Sequence, residues 1–366
     1  MKRFCQCGIL SCLFLFMCLV GDKSAAAEFH FSVLPQIPEN QIDATNSYFD
    51  LLLQPDQRQD LGVVLRNDTD KPVVVEVGVA SATTNSNGVV EYSQNAIKKD
   101  DSLIYDLKKL VEAPSEVTIP PHTDIKYALT VHMPNTSFSG ILAGGLTFKE
   151  KRSETTNRQR SNQKGLAIEN EYSYVVALLM RQHEEELAPD LKLIKASAGQ
   201  VNARNVIQAN LQNPKASYLN QLVCQTTITK LNSKKKSYRN TQADLQMAPN
   251  SNFNLTIPIE EALDSGKYVI RVEAYSNQAE SGDFSLKNND KTENYHYHWS
   301  LQKEFDVKAE EASKLNASDV TIKESDDAFF DYLLAGLLFL VGVLLGLILL
   351  LGRQRRSITS ERHSRK

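Results

Sequence analysis

Short runs of alternating apolar and polar residues, each ended by turn-forming residues, fill the chain from Tyr48 to Val307. Valines recur at every second position from residue 73 to residue 79, which places them on one face of a β-strand. Asn87-Gly88 has the composition of a tight hairpin turn. Many short strands with regular turns predict a mainly β chain built of β-sandwiches.

The strands fall into two sets that are separated by a polar segment. Residues 150–164 contain no apolar residue, which predicts an exposed loop or linker. The region outside the two termini is about 300 residues long, which is too long for one typical hydrophobic core. We therefore predict two tandem domains.

The run Tyr172–Met180 leaves the boundary between the domains open. It closes the first sandwich if it pairs with Ile141–Phe148, and otherwise it opens the second domain. The boundary therefore lies between residues 149 and 189. We predict one sandwich over residues 28–155 and a second over residues 165–309.

A stretch of twenty residues without a charge, Tyr332–Leu351, follows the second domain. A helix of this length crosses the roughly 30 Å hydrocarbon core of a bilayer. The arginines at positions 353, 355 and 356 favour a cytoplasmic C-terminus. We predict an acidic juxtamembrane spacer over residues 310–331, a single transmembrane helix over 332–351, a basic cytoplasmic tail over 352–366, and an N-terminal ectodomain outside the cell.

The N-terminal segment is typical of a secretory signal. Lys2 and Arg3 precede an apolar run, and Ala25-Ala26-Ala27 forms an A-x-A cleavage site. This pattern predicts a signal peptide over residues 1–27. The alternative is a lipoprotein anchored through Cys18, but the preceding Phe16 and Met17 are unfavourable where small residues are preferred.

The cysteine count favours a bacterial surface protein. Four of the five cysteines lie in the signal segment, so only Cys224 remains and the ectodomain forms no internal disulfide. Secreted animal domains usually carry disulfides. Four N-x-S/T tripeptides point instead to a glycosylated animal adhesion receptor, which we keep as an alternative; they begin at Asn67, Asn135, Asn254 and Asn316. Such tripeptides arise often by chance in an Asn-rich chain.

The charge balance of the ectodomain argues against nucleic acid as a partner. Residues 28–328 contain 32 basic and 41 acidic side chains, a net charge of about −9. An acidic surface of this kind repels a phosphate backbone.

No catalytic or metal-binding constellation is visible in the sequence. His183-Glu184-Glu185 begins like a zinc-protease helix, but position 187 is Leu where a second histidine is required. His296 and His298 alternate on one strand without a compact third ligand. We therefore predict no catalytic residue, no metal and no cofactor, and we assign no binding residue.

A cell-wall-active enzyme of the amidase or transpeptidase type is the alternative functional class. It requires a nucleophile, and Cys224 is the one free thiol of the ectodomain. Cys224 lies within a β pattern, which predicts a buried and inert side chain. Two S-x-x-K matches, at 161–164 and 233–236, fall in polar loops rather than at a buried helix start, so they are chance matches.

Two further motifs have structural interpretations. Trp299-Ser300-Leu301 is a W-x-L tripeptide within a strand pattern, which favours a core tryptophan. Gly342 and Gly346 form G-x-x-x-G within the apolar stretch, a pattern found at helix dimer faces and also common in membrane helices generally.

Several segments, in the same order along nearly the whole chain, resemble the WxL-interacting proteins of Gram-positive bacteria. In the first half they are Phe31–Pro35, Pro38–Gln41, Ser47–Leu51, Ala82–Asn85 with Asn87-Gly88 and Tyr92, and Met133-Pro134 with Phe138–Gly140 and Gly144-Gly145. In the second half they are Asn170–Tyr174, Met247–Ser251, Gly266–Tyr268 and Trp299–Phe305. The C-terminal apolar stretch and basic tail extend the resemblance.

This resemblance implies two immunoglobulin-like modules outside the cell. The first is expected to bind peptidoglycan, and the second to bind proteins of the host surface or matrix. The expected partners also include wall proteins with paired W-x-L motifs. The chain is not expected to be such a wall protein, because it has one W-x-L tripeptide and those proteins carry two in a C-terminal domain.

The predicted function is a membrane-anchored, non-enzymatic cell-surface adaptor. Glycan binding uses exposed aromatic and amide side chains, and Asn40, Gln41, Tyr48 and Tyr92 are of suitable type. Core packing is the expected role of either tyrosine. No binding residue of the family is carried over to this chain.

Overall fold

Each set of strands folds into a two-sheet sandwich with its own core, as seen in a computed structural model. The structure describes residues 29–151, 172–231, 237–288, 291–322, 336–341 and 343–344. The predicted signal peptide, the S-x-x-K segments, the basic tail, and Gly342 and Gly346 lie outside the described residues. So does most of the predicted membrane helix. Among the residues described, no helix is long and apolar enough to cross a bilayer.

Two sheets make up the first sandwich. A four-stranded sheet has the order β1-β3-β9-β7, with β1 at Ser32–Gln36, β3 at Arg58–Asn67, β9 at Thr123–His132 and β7 at Val111–Glu112. A five-stranded sheet has the order β2-β11-β10-β4-β8, with β2 at Phe49–Leu52, β11 at Ser173–Arg181, β10 at Leu142–Glu150, β4 at Val73–Ser81 and β8 at Glu116–Ile119. A short hairpin of β5 (Thr83–Thr84) and β6 (Val90–Glu91) and a 3-10 turn (Leu107–Lys109) complete this part.

The predicted alternation of side chains produces the core of the first sandwich. Leu61, Val63 and Leu65 of β3 are buried, and so are the residues at 127, 129 and 131 of β9, which pairs with β3. Burying one such aliphatic side chain contributes roughly 1.5–3 kcal/mol. The opposite faces of these strands carry residues such as Asp60 and Lys126 towards solvent.

Strand β11 belongs to the first sandwich. It pairs antiparallel with β10, from Leu142 with Met180 to Lys149 with Ser173. It also pairs parallel with β2, from Phe49 with Leu178 to Leu52 with Arg181. Of the two alternatives left open by the sequence, the structure shows the pairing with residues 141–148. The first sandwich therefore requires residues up to 181.

The second sandwich also has two sheets. Its three-stranded sheet has the order β12-β13-β16, with β12 at Lys192–Val201, β13 at Arg204–Asn213 and β16 at Ser251–Pro258. Its five-stranded sheet has the order β15-β14-β17-β19-β18, with β15 at Ser237–Met247, β14 at Leu219–Lys230, β17 at Gly266–Gln278, β19 at Lys291–Val307 and β18 at Phe284–Asn288.

A helix, α1 (Ala309–Ser318), closes one end of the second sandwich. Ala312 packs into the core, and the Asn316 side chain bonds both the backbone N–H and the carbonyl of Leu263. The sequence predicted a spacer from residue 310, whereas these contacts attach the helix to the domain. The difference arises because the helix is mostly polar in sequence, yet Ala312 and Leu315 pack on the core and Gln200 donates to the Leu315 carbonyl.

Candidate functional site

The two sandwiches meet at a small apolar cluster that both of them build. The first sandwich contributes Ala82, Val90, Ala143 and Leu179, and the second contributes Ala248. Tyr92 and Tyr218 pack against this cluster, and their hydroxyl groups lie 3.1 Å apart across the junction. Burial raises the pKa of the Tyr218 phenol well above its usual value. Tyr218 therefore stays neutral and acts as a packing and hydrogen-bonding group.

Buried polar contacts surround the apolar cluster of the junction. The Thr84 and Ser251 hydroxyl oxygens lie 2.7 Å apart, and the Ala248 N–H donates to Thr84 Oγ1 at 3.0 Å. Thr84 and Ser251 are both buried. Hydrogen bonds satisfied inside a dry interface fix the groups that make them, because breaking them leaves polar atoms without water.

Asp100 of the first sandwich accepts hydrogen bonds from two amides of the second. Gln212 Nε2 lies 2.9 Å from Oδ1, and Asn252 Nδ2 lies 2.6 Å from Oδ2. Partial burial opposes ionisation of this carboxyl, but the hydrogen bonds from Ser102, Asn252 and Gln212 outweigh it and lower the pKa of Asp100. The carboxylate is therefore charged at neutral pH and joins the sandwiches through charge-assisted bonds.

Two backbone contacts also join the sandwiches, and a glycine with positive φ lies at each. The Ile141 N–H donates to the Ala216 carbonyl at 2.7 Å, next to Gly140 with φ of 97°. A Cβ at Gly140 would lie 2.2 Å from the Ala216 oxygen. At the tip of the β5–β6 hairpin, the carbonyl of Gly88 (φ of 68°) accepts from Gln246 N–H at 2.7 Å. The predicted Asn87-Gly88 turn is therefore a contact between domains.

The segment that leads into the second sandwich is held by a buried ion pair. Arg181 Nη2 lies 2.8 and 2.7 Å from the two carboxylate oxygens of Asp50, and Arg181 Nε lies 3.1 Å from Oδ1. Burial raises the pKa of Asp50, and Arg181 partly offsets this. Gln182 follows and donates to the carbonyls of Pro134 and Thr136. The chain therefore crosses to the second domain from a fixed position.

The four residues that the sequence suggested for glycan binding are used inside the fold. The side-chain amides of Asn40 and Gln59 bond each other in both directions at 2.8 Å. The Gln41 side chain bonds the Tyr48 carbonyl and the Asp50 N–H. Tyr48 packs on the core and the junction, and Tyr92 bonds Tyr218. They are structural residues, and the expected role of the tyrosines in core packing is confirmed.

The groups suggested for metal or nucleophilic chemistry have structural roles. His298 Nε2 lies 2.9 Å from Glu273 Oε2 in a surface pair, and His183 lines a polar pocket of about 140 Å³ at the junction. Across the described part of the chain, no three His, Cys, Asp or Glu side chains converge as metal ligands do. Burial raises the pKa of the Cys224 thiol to about 12, which keeps it protonated and unreactive.

Trp299 packs against the core of the second sandwich, as its strand pattern predicts. It is partly buried, and its ring stacks on Tyr297 with centroids 5.9 Å apart and an interplanar angle of 23°. Trp299 lies midway along β19, opposite Ala274 of β17, and not near the end of the sandwich.

A shallow groove of about 610 Å³ crosses the outer face of the β1-β3-β9-β7 sheet. Gly62 and Ala128 pair across β3 and β9 and form its floor, and Asp60, Lys126 and Thr130 line it. Thr130 donates to Asp60 at 2.7 Å. This groove is open, and no aromatic side chain lines it.

The chain is a modular protein of two joined β-sandwiches, each with a solvated outer face and a buried inner face. Residues 31–150 match the domain family described as WxL Interacting Protein, peptidoglycan binding domain. Residues 163–317 match the one described as WxL Interacting Protein, host binding domain. The chain belongs to the WxL-interacting protein family, which confirms the resemblance seen in the sequence. The second match begins before β11, although β11 folds into the first sandwich.

Similar solved structures share a low identity with this chain. They include the ASH/PapD-like domain of human CEP192, at 10% identity over 46% of this chain and 94% of that chain, with a TM-score of 0.26. The CsuC–CsuE chaperone–tip adhesion subunit complex of Acinetobacter baumannii is 11% identical over 63% and 90%, with a TM-score of 0.28. The Salmonella enterica SafA pilin with the SafB chaperone is 9% identical over 77% and 99%, with a TM-score of 0.25. The comparison with curated proteins found no match.

Proposed function

We propose that this chain is a membrane-anchored, non-enzymatic adaptor of the bacterial cell surface. Its first sandwich binds peptidoglycan, and its second binds a protein, either a W-x-L wall protein or a protein of the host surface. One observation carries this proposal: the two binding domains of the family fall on two sandwiches that a buried junction joins. Because the junction is fixed, a partner bound to one sandwich is held in a defined position relative to a partner bound to the other.

The position of α1 supports a membrane-side attachment of the second sandwich. Strand β13 begins beside α1, where Asn205 Nδ2 donates to Asn316 Oδ1, and ends at Asn213, which bonds the Ala248 carbonyl at the junction. Ten residues of strand span about 30 Å, so α1 lies at the end remote from the first sandwich. The chain then leads to the apolar stretch Tyr332–Leu351 and its arginines, which we propose to anchor the protein with its C-terminus in the cytoplasm.

The alternative of an animal glycoprotein loses support at two of its four acceptor sites. Asn67 is 0% exposed, and its amide nitrogen donates to the carbonyls of Lys71, Ile119 and Pro120. The Asn316 amide donates to the Leu263 carbonyl. A glycan on Asn67 would replace one hydrogen of a fully buried amide and would have to displace the surrounding fold.

The test of wall binding is sedimentation of the detergent-solubilised full chain with purified Gram-positive cell-wall sacculi. We expect the protein in the pellet, and cellulose particles serve as the control polymer. Recovery of all the protein in the supernatant would refute peptidoglycan binding.

The protein partner and the anchor are tested separately. A purified protein with paired W-x-L motifs should be retained by the immobilised full chain, and a purified host matrix protein is the second bait. Loss of retention for both would remove the adaptor role. In cells, the full chain should resist carbonate extraction from membranes, whereas a Leu340→Arg variant should be released; extraction of both would contradict the anchor.

A further inference from the structure

A row of aromatic rings runs from the core of the first sandwich to its surface. Phe31 is buried and meets Tyr174 edge-on, with ring centroids 5.4 Å apart. Tyr174 meets Phe29 at 4.6 Å, and Phe29 meets Tyr172 at 5.0 Å. Phe29 is 47% exposed and Tyr172 is 42% exposed. The inner two rings pack behind the outer two, so the row presents aromatic faces to solvent.

The row lies at the end of the first sandwich that is farthest from the junction. Strand β11 runs from Ser173, beside Tyr172, to Arg181, which lines the junction pocket. Nine residues of strand span roughly 30 Å, so the rings lie about this distance from the second sandwich. The end of the second sandwich that carries α1 lies farther away still. In a membrane-anchored chain, the row is therefore on the side that faces the wall.

Polar groups stand beside the exposed rings. His30 Nδ1 lies 2.7 Å from Glu150 Oε2, and both side chains are exposed to solvent. His30 is the direct neighbour of Phe29 in sequence. Aromatic faces beside a carboxylate and an imidazole match the two sides of a sugar, because a pyranose ring has an apolar C–H face and a rim of hydroxyl groups. The negative face of an aromatic ring attracts these C–H bonds.

We propose that Phe29 and Tyr172 form a stacking platform for the N-acetylhexosamine strand of peptidoglycan. The His30–Glu150 pair bonds the sugar hydroxyl groups. This inference rests on the proposed wall binding and locates it on the chain. Tyr172 lies within residues 163–317, the match to the host binding domain, but the fold places it on the sandwich that matches the peptidoglycan binding domain. That placement favours glycan over a protein partner.

The test uses the solubilised full chain and sacculi whose stem peptides have been removed by an amidase. Phe29→Ala and Tyr172→Ala should each weaken binding about threefold, and the double variant about tenfold, as expected for the loss of one and two ring contacts. Tyr172→Phe should keep wild-type binding, since it keeps the ring. Ile104→Ala removes another exposed apolar side chain of the same sandwich and should leave binding unchanged.

The outcomes separate this inference from the proposed function. If the wild-type chain does not sediment with untreated sacculi, the proposed function fails. If it sediments and the double variant sediments equally well, only the platform is refuted. Binding to untreated sacculi without binding to amidase-treated sacculi would also overturn it, because the ligand would then be the peptide. If the double variant no longer binds a W-x-L or host protein but still binds sacculi, the platform is refuted, and the rings belong to a protein-binding site.

Discussion

Aromatic side chains at the two ends of the first sandwich differ in their exposure to solvent. At the junction, Tyr92 and Tyr218 are covered, and their hydroxyl groups meet each other. At the far end, Phe29 and Tyr172 remain exposed and are held by rings behind them. The junction uses rings to fix one domain on the other, whereas the far end leaves them available to a ligand. Substitutions at the junction should therefore change stability, and substitutions at the far end should change binding.

The largest effect on stability is expected at the buried ion pair beside the junction. Asp50→Ala leaves Arg181 without its partner, and we expect a loss of about 3 kcal/mol in the free energy of unfolding, because an unpaired buried charge is costly. Chemical denaturation followed by circular dichroism measures it. Asp124→Ala breaks the exposed contact with Arg66 and should cost less than about 1 kcal/mol. Equal losses for both variants would contradict a buried pair.

A smaller loss is expected when the close backbone approach at the junction is blocked. Gly140→Ala forces a side chain into a positive-φ position and against the Ala216 carbonyl, which should cost about 2 kcal/mol. The matched control is Gly199→Ala, because the nearest atom to a Cβ at that position is 3.7 Å away. The same denaturation measurement compares them. An unchanged free energy of unfolding in Gly140→Ala would show that the junction opens freely.

The junction should also add an acid-sensitive contribution to stability. The pKa of Asp100 is lower in the folded chain than in the unfolded chain, where it is about 3.9. The contribution of Asp100 to the free energy of unfolding is therefore fully present above the unfolded pKa and is lost as pH falls through the folded pKa. The wild-type chain should lose more stability between about pH 5 and about pH 3 than Asp100→Asn. Thermal melts across this range measure the difference. Parallel pH profiles would contradict a charged Asp100 at the junction.

The smallest effect on stability is expected at the exposed rings. Phe29→Ala removes a ring that is about half exposed and contacts two other rings, so the free energy of unfolding should fall by about 1 kcal/mol. Binding to glycan should fall in the same variant. A large loss of stability would place Phe29 with the structural rings of the junction and remove the contrast between the two ends.

Local patterns were sufficient to predict much of the fold. The alternating valines form β4, Asn87-Gly88 forms a turn, and Cys224 and Trp299 pack where strand periodicity places them. These features depend on neighbours in sequence. The pairing of β11 was left open because it depends on which of two distant partners the strand meets.

The junction and the ring row could not be predicted from local patterns. Thr84, Asp100 and Ser251 are small polar residues of turns and strand ends, and nothing local marks them as contacts between domains. Phe29 and Tyr172 are separated by more than a hundred residues and meet only because β1 and β11 begin at the same side of the sandwich. The glycan candidates Asn40 and Gln41 were suitable by type, but they bond groups within the fold.

The most direct test of this account is the sedimentation of three forms of the full chain with amidase-treated sacculi. We predict that the wild-type chain and the junction variant Asp100→Asn sediment to the same extent. The Phe29→Ala/Tyr172→Ala variant should stay largely in solution, while its thermal melt shows that it remains folded. Equal sedimentation of all three forms, or loss of binding only in the junction variant, would contradict a glycan-binding end that is separate from the junction.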